Sequence, residues 1–318
     1  MTQPLHYTSK AIEALSSYPW AGMPIAAAGC GYLADKLRQA QVFVLSDHGE
    51  LLDRSRPRPE VPGVVFRPPF DVVALEYTAL ACRREDPFYT ATRSSRRIAL
   101  AWDWRDDLPP PFPRLHLPPG VVIASVAYID DAQLWMPMSG AVHLAYEDEW
   151  QPGAAFASPF RDAMIASGQY ALNPEKERSY PATVIPLMLE VLMSATATLG
   201  SKAAVFDTVH ADLADEVNAY SDLCYALACK NVSTREHRAP EALNRHRIKA
   251  GKLPLNGFHV LELSGGGALP GAGGGPDRSG PRSHLRRGHI RRLPGERVTW
   301  VNSTVVRGRG FVDKVYAA

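Results

Sequence analysis

The sequence predicts an α+β protein: an antiparallel sheet with a helical N-terminus, a central helical pair and a small basic C-terminal β unit. Short β-prone runs separated by Pro and Gly fill residues 42–145, a pattern typical of antiparallel sheets. Apolar residues recur at helical spacing over residues 181–230. Lys and Arg then outnumber Asp and Glu in the rest of the chain. With 318 residues, 46% hydrophobic and 21% charged, the chain is a globular protein of one or two domains.

We expect three regions along the chain. Residues 1–158 form an N-terminal α and β region that carries most of the sheet, and residues 159–252 are mainly helical. Residues 253–318 form the basic β unit, interrupted by a Gly-rich loop at 264–282. The alternative is that all three regions form one compact domain.

Two helices are predicted at the N-terminus. Thr8 is expected to cap the first, because a threonine hydroxyl can accept a hydrogen bond from a first-turn N–H. The second should run from Pro24 to about Gln39, since proline favours the first helical position. Gly-Cys-Gly at 29–31 interrupts this pattern and could instead form a tight turn.

The next segment should supply the sheet. Asp130-Asp131 indicates a hairpin turn with its carboxylates in water. Glu76 would share one strand face with Val72 and Ala74, since side chains alternate along a strand. We expect a structural glutamate there, at a sheet edge or in a buried ion pair, rather than a metal ligand. The predicted strands are 42–46, 64–67, 72–77, 98–104, 121–128, 133–136 and 141–145.

The helical pair follows. One helix should extend from residue 181 to 199, started or kinked by Pro186 and ended by Gly200. The second should cover about 208–230. A short basic helix ending at Gly251 is then predicted at 242–252, and its cations include Arg245 and Arg247. A strand is expected at 257–263, and further strands follow the Gly-rich loop.

The net charge of +2 conceals an asymmetry along the chain. Residues 230–318 carry 17 Lys and Arg against 6 Asp and Glu, a net charge of +11. Residues 1–229 carry 18 against 27, a net charge of −9. This split indicates that one end meets a polyanion or an acidic protein surface. The alternative is that the two parts neutralise each other within one fold.

The most unusual stretch is a run of His and Arg between residues 284 and 292. As a strand it has no apolar face, so ordinary packing explains it poorly. Arginine forks bind phosphate oxygens, and a histidine can donate to phosphate. We therefore expect nucleic acid or an acidic host protein surface as the partner. The binding residues would be His284, Arg286, Arg287, His289, Arg291, Arg292, Arg245 and Arg247, with Trp300 as a stacking surface.

Three alternatives remain for this stretch. A metal-independent ribonuclease would use His284 or His289 as general acid or base. The two lie five apart, on opposite strand faces, unless the chain bulges at Gly288. An inhibitor or assembly factor would dock its basic face on an acidic protein. An internal arginine network would pair with carboxylates of residues 1–229. No Cys or carboxylate stands nearby to complete a metal site, and we predict no cofactor.

Several of these segments resemble a family of uncharacterised proteins encoded by tailed bacteriophages, prophages and mobile elements of proteobacteria. The most specific motif is His-Leu-Arg-Arg-Gly-His-Ile-Arg-Arg at 284–292, and residues 69–77, 242–247, 258–263 and 298–301 extend the resemblance. No activity is established for the family, so no catalytic residue carries over. The resemblance implies a phage-encoded accessory protein that acts against host defence or in phage DNA or RNA metabolism. A local resemblance of 283–301 to small ribonuclease toxins supports the nuclease alternative.

The same sequence predicts a protein of the bacterial cytoplasm, with no membrane partner. Its longest apolar runs fall short of the roughly 20 residues that a membrane span needs. The N-terminus lacks the pattern of a secretory signal. The four cysteines, at 30, 82, 224 and 229, are too sparse for a disulfide scaffold, which fits a reducing compartment. Cys224 and Cys229 lie in an apolar helical pattern and are predicted to be buried free thiols.

Overall fold

The computed structural model describes most of the chain as a mixed α and β fold. The described residues are 5–17, 20, 22–52, 66–79, 94–106, 108, 110–112, 114–149, 151–152, 178–263, 284–286, 289–293, 297–301 and 304–306. Their helices are α1 (Tyr7–Ser17), α2 (Pro24–Gln39), α3 (Leu189–Leu199), α4 (Lys202–Asp212), α5 (Ala214–Leu227) and α6 (Glu241–Lys249). Their strands are β1 (Gln41–Val44), β2 (Val72–Thr78), β3 (Ser94–Asp103), β4 (Gly120–Ile129), β5 (Leu134–Ala145), β6 (Gln151–Pro152), β7 (Arg178–Ser179), β8 (Thr183–Pro186), β9 (Val232–His237), β10 (Phe258–Leu263), β11 (His284–Arg286), β12 (His289–Arg292), β13 (Val298–Val301) and β14 (Thr304–Val306).

One sheet of eight strands organises the fold, in the order β8-β5-β4-β3-β2-β1-β10-β9. Its pairs are antiparallel except at β1, which is parallel to both neighbours, β2 and β10. The prediction of a largely antiparallel sheet is thus confirmed. The sheet draws strands from all three predicted regions, because β8 and β9 come from 159–252 and β10 from 253–318.

Helices cover both faces of this sheet. Along β2, Val72 and Ala74 enter a first core beneath α1 and α2, whereas Val73 and Leu75 enter a second core beneath α4 and α5. Both faces of β2, β3 and β4 are therefore buried over most of their length. This burial explains why these strands have nearly continuous apolar sequences instead of alternating ones.

The start of α1 differs from the prediction. The helix begins at Tyr7, so Thr8 lies inside its first turn and does not cap it. Instead, the Thr8 backbone N–H donates to Oε1 of Glu76 at 2.7 Å. Glu76 shares its strand face with Val72 and Ala74, as predicted, but it lies on an interior strand and is buried. A carboxylate from the sheet thus binds a first-turn N–H that would otherwise have no partner.

The predicted bounds of α2 are confirmed, and the helix continues through the Gly-Cys-Gly segment. Gly29 is needed for packing, because a Cβ at this position would lie 2.4 Å from the Leu187 carbonyl oxygen. The first turn of α3 also closes the start of α2. Its Glu190 carboxylate accepts from the backbone N–H groups of Ile25 and Ala26 at 2.7 and 3.0 Å.

The predicted number of helices in this region, two, is wrong. The apolar stretch from residue 183 begins as the edge strand β8, and only then continues as α3. Pro186 ends this strand, where a missing N–H is tolerated at the sheet edge. The second predicted helix divides at Leu213 into α4 and α5, so three consecutive helices replace two. Gly200 ends α3 in the left-handed conformation, as predicted.

Smaller differences concern the strands. The predicted runs 133–136 and 141–145 form one strand, β5, which follows the expected turn at 130–133. Asp130 is not simply solvated, because its carboxylate accepts from the Ser95 N–H and hydroxyl at 2.7 and 2.6 Å. Residues 66–67 are not in a strand, and 64–65 lie outside the described residues. Edge strand β9 was not predicted.

Cys224 and Cys229 are buried and outside any disulfide among the described residues, as predicted, and the same holds for Cys30. Burial raises the pKa of the Cys30 and Cys229 thiols to about 11. Both groups are therefore protonated at neutral pH and behave as small apolar side chains. Cys82 and the Gly-rich loop at 264–282 lie outside the described residues.

Candidate nucleic-acid interface

The basic helix α6 is fixed to the protein by one of its faces. The Asn244 side chain accepts from the Leu255 N–H at 2.8 Å and donates to the Leu255 carbonyl at 3.0 Å. One turn further along, Nε of Arg247 donates to the Leu253 carbonyl at 2.8 Å. Asn244 and Arg247 are three residues apart and so share a face. Together they set the rotation of α6 about its own axis.

The opposite face of α6 carries exposed cations. Arg245 and Lys249 are one turn apart on that face, with His246 beside them, and Lys252 follows the helix. All of them are exposed, and none forms an ion pair within the part of the chain that the structure describes. The structure thus separates two predicted binding residues: Arg245 points outward, whereas Arg247 holds the helix in place.

A crevice lies beside α6, between the start of α1 and the residues that lead into β10. His6, Thr8, Glu76 and Asn256 are among its lining residues. Its volume is about 10 Å³, roughly the space of one water molecule. The crevice is therefore too small for a nucleotide or another substrate of that size.

Burial in this crevice disfavours the charged forms of two of its lining residues, Glu76 and His6. Burial raises the pKa of Glu76, and the hydrogen bonds from the start of α1 and the charge of Lys10 only partly offset this. Burial also lowers the pKa of His6, and the charges of Lys10 and Arg247 add to that shift. Burial thus disfavours the charged form of both side chains, raising the pKa of Glu76 and lowering that of His6.

The predicted His/Arg strand is divided in the structure. Its first part is β11, which pairs with β14 and places His284 opposite Val306. Its second part is β12, which pairs with β13 and places His289 opposite Val301. The two histidines thus belong to different two-stranded ladders. For His284, Arg286, His289 and Arg292 the structure describes the backbone, and Arg287 lies outside the described residues.

The β12–β13 hairpin is attached to the end of α5. The Lys230 N–H donates to the Val298 carbonyl at 3.2 Å, and the Asn231 side chain exchanges two hydrogen bonds with the Trp300 backbone at 2.7 and 2.9 Å. Ile290 and Trp300 face each other across the hairpin and pack against the second core.

Two predicted binding residues of the hairpin, Trp300 and Arg291, differ in their exposure to solvent. The Trp300 ring is half-buried and contributes to packing, whereas the Arg291 side chain is exposed. Arg291 forms no ion pair with any residue that the structure describes.

Comparison of the chain with protein-family models, curated proteins and solved structures finds no match. None of the helices among the described residues combines the length and hydropathy of a membrane span. Within the same residues, no group of three or more His, Cys, Asp and Glu side chains is placed to hold a metal ion.

The sequence predicted the cations of α6 but not the contacts that orient this helix. Asn244 makes its two contacts with Leu255, eleven residues further along the chain, and the loop conformation that allows this has no local signal. It also missed His237 and Phe258, which stack across β9 and β10. An alternation of side chains over residues 232–237 was the available signal, since Arg235 and His237 fall on one face.

Proposed function

We propose that this protein binds the phosphate backbone of a nucleic acid through the outward face of α6. The observation that carries the proposal is the anchoring of α6 by Asn244 and Arg247, which holds Arg245 and Lys249 outward without acidic partners among the described residues. A helix whose orientation is already fixed loses little backbone freedom when its exposed cations bind a ligand. Together with the family resemblance, this supports a phage-type accessory protein acting on nucleic acid or on a host complex that contains it.

The charge distribution supports a polyanionic partner. The segment from residue 230 onward has a net charge of +11, and its basic residues include the cations of α6 and the exposed Arg291. We propose that the other basic residues of the 284–292 motif, His284, Arg286, Arg287, His289 and Arg292, also bind the nucleic acid. A ribonuclease in which these two histidines act together gains no support from their separate ladders.

The test is the salt dependence of binding. Arg245→Ala with Lys249→Ala removes two exposed cations and leaves the helix propensity intact, because alanine favours helices. The slope of log affinity against log salt concentration should become about 2 units less steep on duplex DNA. Affinity at low salt should fall more than about tenfold. Fluorescence anisotropy with labelled DNA and RNA measures both quantities.

A matched control removes the same number of positive charges from another part of the protein surface. Arg38→Ala with Lys202→Ala removes two cations from α2 and α4 and should leave the salt slope nearly unchanged. Equal affinities of the wild type and the α6 variant for DNA and RNA would reject the proposal. Binding of the wild type only to an acidic protein, and to neither nucleic acid, would also reject it.

A further inference from the structure

A pair of stacked rings joins β9, the strand that precedes α6 in the chain, to β10. His237 and Phe258 are directly opposite each other in the antiparallel pairing of β9 and β10. Their ring centroids are 5.0 Å apart, and their planes differ by only 8°. Phe258 packs against the first core, and His237, the half-exposed outer member of the pair, belongs to a strand at the edge of the sheet.

The orientation of the outer ring is fixed from its edge. Nε of Arg235 donates to Nε2 of His237 at 3.2 Å, which requires the imidazole proton to be on Nδ1. Arg235 is itself held by Glu262, with 2.9 Å between Nη1 and Oε1. A hydrogen bond to a ring nitrogen lies near the plane of the ring, so this contact restrains the imidazole without covering its face.

The stack and the basic face are close along the chain. Only residues 238–240 separate His237 from the start of α6, so the Cα atoms of His237 and Glu241 are at most about 15 Å apart. Glu241 is exposed in the first turn and repels phosphate, which directs phosphates to the basic second half of α6. The other nearby carboxylates, Glu236 and Glu262, are paired with Arg238 and Arg235.

We propose that the His237–Phe258 stack is a platform on which an unpaired base stacks while α6 binds the neighbouring phosphates. This inference rests on the proposed function and narrows its ligand to single-stranded nucleic acid. Proteins that bind single strands combine a basic track with aromatic stacking surfaces, because every base has a π face. Bases in a duplex are already stacked on each other and do not present that face to a protein.

The experiment compares three substitutions of His237. Alanine removes the ring, leucine keeps Phe258 covered but has no flat face, and phenylalanine keeps the ring. The ligands are an oligothymidylate of about 12 nucleotides and a duplex of the same length. His237→Ala and His237→Leu should weaken single-strand binding about tenfold and leave duplex binding unchanged. His237→Phe should bind the single strand like the wild type, and thermal unfolding should show that all three variants fold.

The outcomes separate this inference from the proposed function. If His237→Leu binds the single strand as tightly as the wild type, the platform is rejected, and the phosphate contacts of α6 are unaffected. A wild type that prefers the duplex to the single strand would also reject the platform. If the α6 double variant retains full affinity for both ligands, the proposed function itself fails, and the platform fails with it.

Discussion

Glu76 shows how one side chain couples the sheet to the N-terminal helix. Its carboxylate is buried on an interior strand, where it accepts a hydrogen bond from the start of α1. Burial disfavours the charged form, whereas the helix N–H groups and Lys10 favour it, and burial is the larger effect on its pKa. A protonated Glu76 is therefore easier to accommodate than an ionised one.

This balance predicts a pH dependence of stability. The pKa of Glu76 is higher in the folded state than the ordinary value of about 4.3. The folded protein therefore keeps a proton that the unfolded chain loses, and the free energy of unfolding falls as pH rises from about 4.3 through the raised pKa. Glu76→Gln still offers an oxygen to Thr8 but does not titrate, so it should lack this loss. Urea unfolding at a series of pH values measures the difference.

A control for this experiment is available on α1, the helix whose start contacts Glu76. Glu13 lies on α1 with its side chain half-exposed, so Glu13→Gln should reproduce the wild-type pH profile. The interpretation of Glu76 fails if Glu76→Gln loses as much stability as the wild type over the same pH window.

The sequence predicted which neighbours share a strand face with Glu76, because the alternation of a strand is local. It could not predict the partner of Glu76. Thr8 is 68 residues away in the chain, and the contact exists only because α1 packs on this part of the sheet. Likewise, the abundance of cations predicted a basic helix, but only the fold of 250–257 determines that Arg247 faces inward and Arg245 outward.

Helix α2 shows the same division between local and distant causes. Proline at its first position predicted its beginning correctly, since that preference depends on the backbone of proline alone. The role of Gly29 was not predictable, because it depends on Leu187, which lies more than 150 residues later. Similarly, periodicity alone could not separate strand β8 from helix α3, since a four-residue apolar strand fits either pattern.

Two glycines in α2 provide a matched pair of substitutions. A Cβ at Gly29 would meet the Leu187 carbonyl oxygen at 2.4 Å, so Gly29→Ala should force α2 away from this segment and lower the free energy of unfolding by roughly 1–3 kcal/mol. A Cβ at Gly31 would meet nothing within 4 Å. Gly31→Ala should therefore raise the free energy of unfolding by about 0.5–1 kcal/mol, because alanine is the better helix former. Denaturant unfolding that ranks the two variants in the reverse order would contradict this packing.

Across the whole molecule, an ion pair between a fully buried carboxylate and a partly exposed arginine joins α5 to the sheet. Glu216 of α5 is fully buried, and Nη1 of Arg97 on β3 lies 3.1 Å from its Oε1. The same oxygen accepts from the hydroxyls of Ser125 and Tyr77 at 2.9 and 3.2 Å. One carboxylate thus connects α5 with three adjacent strands, and its charge raises the pKa of Arg97.

The energetics of this pair can be separated by a double-mutant cycle. Arg97→Met leaves Glu216 buried without a cation and should lower the free energy of unfolding by about 3–5 kcal/mol. Adding Glu216→Gln removes the unpaired charge and keeps an oxygen for Ser125 and Tyr77. The double variant should therefore recover most of the loss and remain within about 2 kcal/mol of the wild type.

The neighbouring Arg96 supplies the control for this cycle. Its guanidinium lies 4.4 Å from the centroid of the Tyr128 ring, so Arg96→Met should cost about 1 kcal/mol or less. Urea unfolding of the four proteins of the cycle and of this control gives the coupling energy directly. Additive effects of Arg97→Met and Glu216→Gln would mean that the pair does not hold α5 to the sheet. A strong coupling, by contrast, would show that the Arg97–Glu216 interaction itself stabilises the packing of α5 on the sheet.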